Sequence, residues 1–174
     1  MTLIPPFLAL EPRFYPTIRQ KIMTSWWIDE PLVLGSSNPT TGQLKKLYRE
    51  GFRSIISLLD EREQSPNYEI EEVEAMGFKR YSIPLKDFST PMLDDFKAFL
   101  NAVNRTLGQG KVLIHCQAGL GRTGTMAAAY WINKGLSVNE AIKKIRKSNP
   151  SVIESDEQEN SLYELEASIA SRSG

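Results

Sequence analysis

The sequence contains few of the residues that build cross-linked or metal-stabilised proteins. Its 174 residues include one cysteine, Cys116, and one histidine, His115. One cysteine cannot form an intramolecular disulfide, and together with one histidine it cannot supply the four ligands of a Cys/His zinc site. We therefore predict neither metal nor cofactor, and we expect the reducing, cytoplasmic setting in which free thiols persist.

The chain also lacks an excess of charge of either sign and any long apolar run. Its 21 basic side chains balance 21 acidic ones. Domains that bind nucleic acid usually carry a clear basic excess, and a helix that spans a bilayer needs about 18 consecutive apolar residues. Residues 4–10 contain a Pro5-Pro6 pair and follow no basic region, unlike a signal peptide. We predict no nucleic-acid partner and no membrane association.

The composition is sufficient for one domain. A chain of 174 residues that is 41% hydrophobic can bury a single core without cross-links. Residues 1–24 are rich in proline and aromatic residues without periodicity, so we predict an extended arm there. Over residues 25–174, apolar runs alternate with helical patterns. This pattern predicts one α/β domain with a mainly parallel sheet of about four to five strands flanked by helices.

The patterns also place the individual elements. Strands are predicted at residues 32–34, 52–59, 78–85 and 111–115, the last at the centre of the sheet. Two helices are predicted at residues 41–50 and 70–76, and a third begins with Thr90 as its cap and Pro91 as its first residue. A fourth helix is predicted from Arg122 to residue 135. A fifth follows a Ser137/Glu140 capping box and ends at about residue 148. Ser155 and Gln158 form a second such pattern before the last helix.

The informative segment is HCQAGLGRTG, residues 115–124, between the central strand and the following helix. Gly119 and Gly121 allow the backbone to curl so that successive N–H groups point inward, towards the positive end of the helix dipole. Arg122 adds a planar fork that can hold two phosphate oxygens. The same field favours the thiolate form of Cys116, which is the nucleophilic form. We therefore predict that one loop binds a phosphate and supplies a nucleophile beneath its phosphorus.

Each of these residues also has a structural explanation when it is taken singly. A cysteine is often a small buried apolar residue, and glycines turn the chain. Core packing, however, gives no reason for a cysteine, an arginine six positions later and an adjoining threonine in one strand-to-helix turn. The combination favours the functional interpretation.

The run resembles the His-Cys-x5-Arg-Ser/Thr signature of cysteine-dependent protein tyrosine and dual-specificity phosphatases. From about residue 25 to 165 the chain resembles the small single-domain VHZ-like and archaeal tyrosine phosphatases. This resemblance implies the HCx5R phosphatase fold, with Cys116 as the nucleophile that forms a phosphocysteine and Arg122 as the phosphate clamp. It also implies backbone N–H groups that bind the phosphate, from Gln117, Ala118, Gly119, Leu120 and Gly121.

The resemblance assigns roles to two neighbouring residues as well. Thr123 corresponds to the hydroxyl that bonds the sulfur and helps it to leave, and His115 to the residue that supports the loop and the thiolate. The alternatives are a threonine that merely starts the helix and a histidine satisfied within the core.

Expulsion of an alkoxide or phenolate requires a proton donor, for which Asp87 is the best candidate. It lies between a predicted strand and a predicted helix, where a loop can move over a pocket, and its surroundings resemble the family's general-acid loop. The alternative is a turn aspartate paired with Lys86. Three rival acids follow another strand: Asp60, Glu61 and Glu63.

Gln158 resembles the family's glutamine that orients the hydrolytic water. The competing explanation is a capping box with Ser155, which would place the side chain elsewhere. Both remain open from the sequence.

These residues predict a protein phosphatase that hydrolyses phosphotyrosine, with phosphoserine and phosphothreonine as further candidates, through a two-step phosphocysteine mechanism. The resemblance implies extra lysines in loops that prefer phosphoinositides, and residues 117–121 contain none. This favours phosphorylated proteins or peptides, although Lys86 nearby could receive an additional phosphate. Two alternatives stay open: a phosphatase of RNA 5′ or lipid phosphates, and a catalytically silent phosphate-binding module. The sequence does not give the oligomeric state.

Overall fold

The computed structural model describes residues 22–87 and 89–171. The predicted arm of residues 1–24 therefore lies almost wholly outside the described residues. The strands are β1 (Ser25–Asp29), β2 (Val33–Ser36), β3 (Phe52–Leu59), β4 (Lys79–Leu85) and β5 (Lys111–His115). The helices are α1 (Thr41–Arg49), α2 (Ile70–Ala75), α3 (Leu93–Thr106), α4 (Gly121–Asn133), α5 (Val138–Ser148) and α6 (Asp156–Ala170).

The five strands form one sheet in the order β1-β2-β5-β3-β4. Only the β1–β2 pair is antiparallel within this sheet, while β2–β5, β5–β3 and β3–β4 are parallel. The predicted mainly parallel α/β sheet with β5 at its centre is confirmed. Because parallel strands all end at the same edge, the loops that follow β3, β4 and β5 meet there.

Helices cover both faces of the sheet, and this explains the continuous apolar runs in its central strands. Val112 and Ile114 of β5 join the larger core with α3 to α6, whereas Leu113 points into the smaller core with α1 and α2. Helix α4 lies deep in the larger core, since Met126 and the three alanines after it are 0% exposed. The small alanine side chains let α4 approach the sheet closely, which places its first turn at the strand ends.

Two predicted elements differ from the structure. The strand predicted at residues 32–34 runs from Val33 to Ser36, and β1, which precedes it, was not predicted. Strand β1 is an antiparallel edge strand whose short SWWID sequence has no flanking helix pattern. Helix α3 begins at Leu93 rather than after a Thr90 cap, because the carboxylate of Asp95 accepts the N–H of Met92 at 2.8 Å and closes the first turn there.

The predicted capping box is confirmed at α5, but only half of the one predicted at α6 is present. The Ser137/Glu140 capping box is present at α5. At α6, Ser155 Oγ accepts the N–H of Gln158 at 3.2 Å, but the Gln158 side chain accepts the N–H of Glu154 at 3.0 Å. The reciprocal half of the predicted box is therefore absent at this helix, and the Gln158 side chain points elsewhere.

The remaining predicted bounds agree with the structure to within about two residues, the usual uncertainty of helix ends. Within the stretches 22–87 and 89–171, none of the helices is both long enough and apolar enough to cross a bilayer.

Candidate active site

The cysteine loop, residues 115–122, connects the end of β5 to the first turn of α4. Cys116 is 2% exposed, and its Sγ accepts the N–H of Gly119 at 3.2 Å. Trp26 Nε1 donates to the carbonyl of Gly119 at 3.0 Å and holds that peptide group. The loop therefore curls around the sulfur, with a backbone N–H directed at it, as an anion-binding turn requires.

Gly119 is the residue that this curl requires. Its φ of +79° lies in the left-handed region, where side chains with a Cβ are strained. A Cβ at this position would lie 2.5 Å from Ser37 N and 2.6 Å from the carbonyl carbon of Ser36. Both the backbone angle and the packing against the end of β2 exclude a larger residue.

Arg122 is 2% exposed and is fixed at the ends of two strands. Its Nη1 donates to the carbonyl of Leu85 at 3.0 Å and, more distantly, to that of Leu58 at 3.5 Å. Its Nη2 donates to Gln64 Oε1 at 2.7 Å. A buried guanidinium is tolerated only when its N–H groups are bonded in this way, so the strand ends fix the charge beside the cysteine loop.

Asp87 directly contacts this arginine. Its Oδ1 lies 3.0 Å from Arg122 Nη2, and its Oδ2 accepts Gln64 Nε2 at 2.9 Å. The carboxyl side chain remains 38% exposed. The predicted acid and the predicted clamp are thus neighbours, although 35 positions separate them in the sequence.

Two of the three rival acids after β3 pair with other arginines. Arg62 bonds both carboxylate oxygens of Asp60, at 2.9 and 2.7 Å, and these side-chain hydrogen bonds lower the Asp60 pKa to about 2. Glu61 pairs with Arg80. Asp87 also contacts an arginine, but this arginine is Arg122 of the cysteine loop, whereas Asp60 and Glu61 pair with Arg62 and Arg80. Of these residues, Asp87 is therefore the one that lies beside the predicted phosphate site.

His115 is 0% exposed, and burial lowers its pKa to about 3, with the charges of Arg80 and Arg122 acting in the same direction. Its Nε2 lies 3.0 Å from the hydroxyl of Tyr68, which accepts Arg80 Nε at 3.0 Å. Tyr68 thus links the imidazole to Arg80. A pKa this low keeps the histidine neutral at physiological pH, and its support of the loop stays a prediction.

Thr123 is buried at the second position of α4. In the described part of the chain its Oγ1 makes no hydrogen bond. The bond from this hydroxyl to the sulfur, which the family resemblance implies, is therefore not formed here, and the role of Thr123 stays a prediction.

Gln158 is 1% exposed and lies against the cysteine loop. A Cβ on Gly121 would approach its Nε2 to 3.1 Å. The backbone N–H of Gln158 bonds Ser155 at the start of α6, but its side chain lies by the loop and does not complete the predicted capping box. Orientation of a water molecule by this amide remains a prediction.

Two residues that the sequence did not single out hold the site together. Gln64 bonds Arg122 and Asp87 as described above. Asn38 is 2% exposed, donates to Gln117 Oε1 at 3.0 Å and to the Ser65 carbonyl at 3.1 Å, and accepts the N–H of Asn67 at 3.0 Å. Asn38 follows a strand at the carboxyl edge, a position that could have drawn attention to it. Gln64 lies in the polar run DEREQSPN, where nothing marks it.

A family model, a solved structure and several curated proteins are similar to this chain. The family model "Tc-R-P: Polymorphic toxin system, DSP-PTPase phosphatase" matches residues 32–136, which include the cysteine loop and Asp87. The crystal structure of Tk-PTP in the active form superposes with a TM-score of 0.75 at 32% identity, over 82% of this chain and 96% of that one.

Two curated relatives have similar identity. Protein tyrosine phosphatase domain-containing protein 1 of Bos taurus is 30% identical over 151 residues, 76% of this chain and 19% of the relative. Phosphatidylglycerophosphate phosphatase PTPMT2 of Arabidopsis thaliana is 30% identical over 155 residues, 80% of this chain and 65% of the relative. The chain spans about a fifth or less of the length of the first curated relatives it matches, at 19%, 18% and 10%.

Proposed function

Because the chain belongs to the DSP-PTPase family of cysteine-dependent tyrosine and dual-specificity phosphatases, we propose that it hydrolyses phosphate monoesters through a phosphocysteine intermediate. Its substrates are phosphotyrosine residues of proteins or peptides, with phosphoserine and phosphothreonine as further candidates. One observation carries this proposal: Cys116, with an N–H at its sulfur, shares a loop with Arg122, and Arg122 contacts Asp87 at 3.0 Å.

In the first step the Cys116 thiolate attacks phosphorus in line with the leaving oxygen. The phosphorus–oxygen bond breaks as the sulfur–phosphorus bond forms, and Asp87 transfers its proton to the departing oxygen. Arg122 and the N–H groups of the loop hold the equatorial phosphate oxygens, whose charge they stabilise throughout.

In the second step water attacks the phosphocysteine. Asp87, now a carboxylate, accepts a proton from that water as the sulfur–phosphorus bond breaks. Inorganic phosphate leaves, and the thiolate is regenerated. The two steps return Asp87 to its protonated form, so the site is ready for another substrate.

The charges around the site support a protein substrate. Residues 117–121 carry no lysine that would bind a second phosphate. An open cleft of about 620 Å³ that begins at Ser65, the neighbour of Gln64, is also lined by the glutamates Glu69, Glu71 and Glu72, of which Glu72 pairs with Lys45. Anionic lipid surfaces attract clusters of basic residues, so this acidic cleft is better suited to a peptide with basic residues near its phosphorylated position.

A second candidate substrate class is a lipid phosphate monoester. The match to an Arabidopsis protein named phosphatidylglycerophosphate phosphatase, at 30% identity over 80% of this chain, favours it. Both classes would use the same residues for the chemistry, so the choice depends on the surface around the pocket.

A substrate panel separates these candidates. Purified protein is assayed on matched phosphotyrosine, phosphoserine and phosphothreonine peptides, on short-chain phosphatidylglycerophosphate, on phosphoinositides and on an RNA 5′ phosphate. We expect the highest kcat/KM on phosphotyrosine peptides, and no turnover of any substrate by Cys116→Ser. Faster turnover of the lipid would reverse the substrate assignment, and turnover by Cys116→Ser would refute the mechanism.

A further inference from the structure

Gln64 lies in the loop after β3, outside the residues that the family signature marks. Its side-chain amide bonds the clamp and the acid at once. Oε1 accepts Arg122 Nη2 at 2.7 Å, and Nε2 donates to Asp87 Oδ2 at 2.9 Å. With the contact of 3.0 Å between Arg122 Nη2 and Asp87 Oδ1, the three side chains form a closed triangle.

Chemistry fixes the orientation of this amide. A guanidinium has no acceptor, so the oxygen of Gln64 must face Arg122. The amide nitrogen then faces Asp87, whose Oδ2 accepts its hydrogen. An inverted amide would place two donors and two acceptors against each other, so the bonding partners permit one arrangement.

Gln64 has a fixed anchor on one side and an exposed partner on the other. Arg122 is 2% exposed and bonded to the ends of β3 and β4, whereas the Asp87 side chain is 38% exposed. Of the other charged groups nearby, Asp60 is held by Arg62, and Lys86 is the sequence neighbour of Asp87. In the described parts of the chain, Arg122 and Gln64 are the groups whose side chains bond Asp87.

We propose that Gln64 is a positioning residue for proton transfer, which holds Asp87 beside Arg122. This inference rests on the proposed function. The two hydrogen bonds of the Gln64 amide tie the exposed carboxyl of Asp87 to the buried guanidinium of Arg122, so the acid stays beside a phosphate that Arg122 binds.

A leaving-group series tests this role. Gln64→Leu removes both hydrogen bonds at similar volume, and kcat/KM is measured on phenyl phosphate and on 2,4-dinitrophenyl phosphate, whose leaving group departs without a proton. We expect a loss of about tenfold on phenyl phosphate and less than about twofold on the dinitrophenyl ester, since general acids typically contribute 10²- to 10⁴-fold where protonation is needed.

Gln109→Leu is the matched control. Gln109 is an exposed glutamine that accepts Lys79 Nζ at 2.6 Å near the opposite ends of the strands. This variant should retain wild-type kinetics on both esters. A loss in Gln64→Leu that is equal on the two esters would show that Gln64 only ties two loops together, and it would overturn the proposal.

Gln64→Glu is the nearly isosteric second variant and remains informative if Gln64→Leu unfolds. A carboxylate still accepts from Arg122, but it cannot donate to Asp87 and it repels the ionised carboxylate there. The protonated form of Asp87 then persists to higher pH, so we expect the falling limb of the kcat/KM profile to move up by about one pH unit. An unmoved limb contradicts the inference.

The two proposals fail in different ways. Inactivity of the wild-type protein on every phosphate ester would refute the proposed function. An active wild type whose Gln64 variants show neither leaving-group dependence nor a shifted limb would refute only the role of Gln64.

Discussion

The cysteine loop and the segment around Asp87 contribute to one site but are built differently. Cys116 and Arg122 are each 2% exposed, and backbone groups contact the sulfur and the guanidinium. The Asp87 side chain is 38% exposed, and two side chains, Arg122 and Gln64, hold it. The proposed nucleophile and clamp therefore belong to the core, whereas the proposed acid lies at its surface.

This difference matches what each group does during the proposed reaction. The loop must present the same N–H groups to every transition state, which requires a rigid, prearranged site. The acid changes its protonation state twice, and the segment that carries it must let substrate enter and phosphate leave, which requires a less enclosed position. Variants in each region test whether the cysteine loop and the Asp87 segment contribute separately to activity.

Arg122→Lys should cause the largest loss, because it affects the buried region. A lysine keeps the charge but not the planar fork, and it cannot bond the carbonyl of Leu85 and a phosphate in the same geometry. We expect kcat/KM on a phosphotyrosine peptide to fall about 10³-fold, with weaker inhibition by inorganic phosphate. Activity within tenfold of wild type would show that the fork is not the clamp.

Asp87→Asn should cause the next largest loss. The amide cannot give up a proton, so we expect kcat/KM on a phosphotyrosine peptide to fall about 10²-fold and the falling limb of the pH–rate profile to disappear. Turnover of 2,4-dinitrophenyl phosphate should change much less, since the cysteine loop is intact. A falling limb that persists in this variant would remove Asp87 from the role of acid.

Gly119→Ala tests the backbone of the cysteine loop. The residue has a φ of +79°, and the added Cβ would lie 2.5 Å from Ser37 N, so we expect a loss of about 1–3 kcal/mol of unfolding free energy. Gly42→Ala is the matched control, because Gly42 is in α1 and no atom lies within 4 Å of its added Cβ. Urea unfolding should show that the control is as stable as wild type or more so. Equal stabilities of the two variants would contradict the inference that the cysteine loop requires glycine at position 119.

The buried His115 should have a smaller effect, which appears in the pH dependence of the free energy of unfolding. Its pKa is about 3 in the folded state against an ordinary value of 6.5, so the unfolded chain binds the extra proton. The contribution of His115 to the free energy of unfolding is therefore complete above about pH 6.5 and is lost progressively as the pH drops towards 3. Between pH 6.5 and 5.5 the resulting loss of unfolding free energy is about 1 kcal/mol.

The measurement is urea unfolding at both pH values, with His115→Gln as the comparison. The glutamine variant should lose this part of the pH dependence. Asp60, with a lowered pKa of about 2, contributes stability that is lost only below its ordinary value of 3.8, outside this window. An identical pH dependence in both proteins would show that folding does not lower the pKa of His115.

Much of the fold and part of the site were accessible from the sequence because their signals are local. The strand at residues 52–59 and the Ser137/Glu140 cap depend on neighbouring residues, and both are present in the structure. Strand β1 was missed because its pairing partner, not its own pattern, makes it a strand. The start of α3 was misplaced because Asp95 closes the first turn further along the chain than the Thr90-Pro91 pattern indicates.

The sequence by itself determined the cysteine loop, since Cys116, the glycines and Arg122 lie in one short segment and the strand-to-helix turn brings them together. Only the tertiary structure decided the surroundings of that loop. Gln64 meets Arg122 across 58 positions, and Asn38 meets Gln117 across 79. No local pattern encodes these contacts, because they arise where parallel strands end at one edge of the sheet and bring distant loops within hydrogen-bond distance.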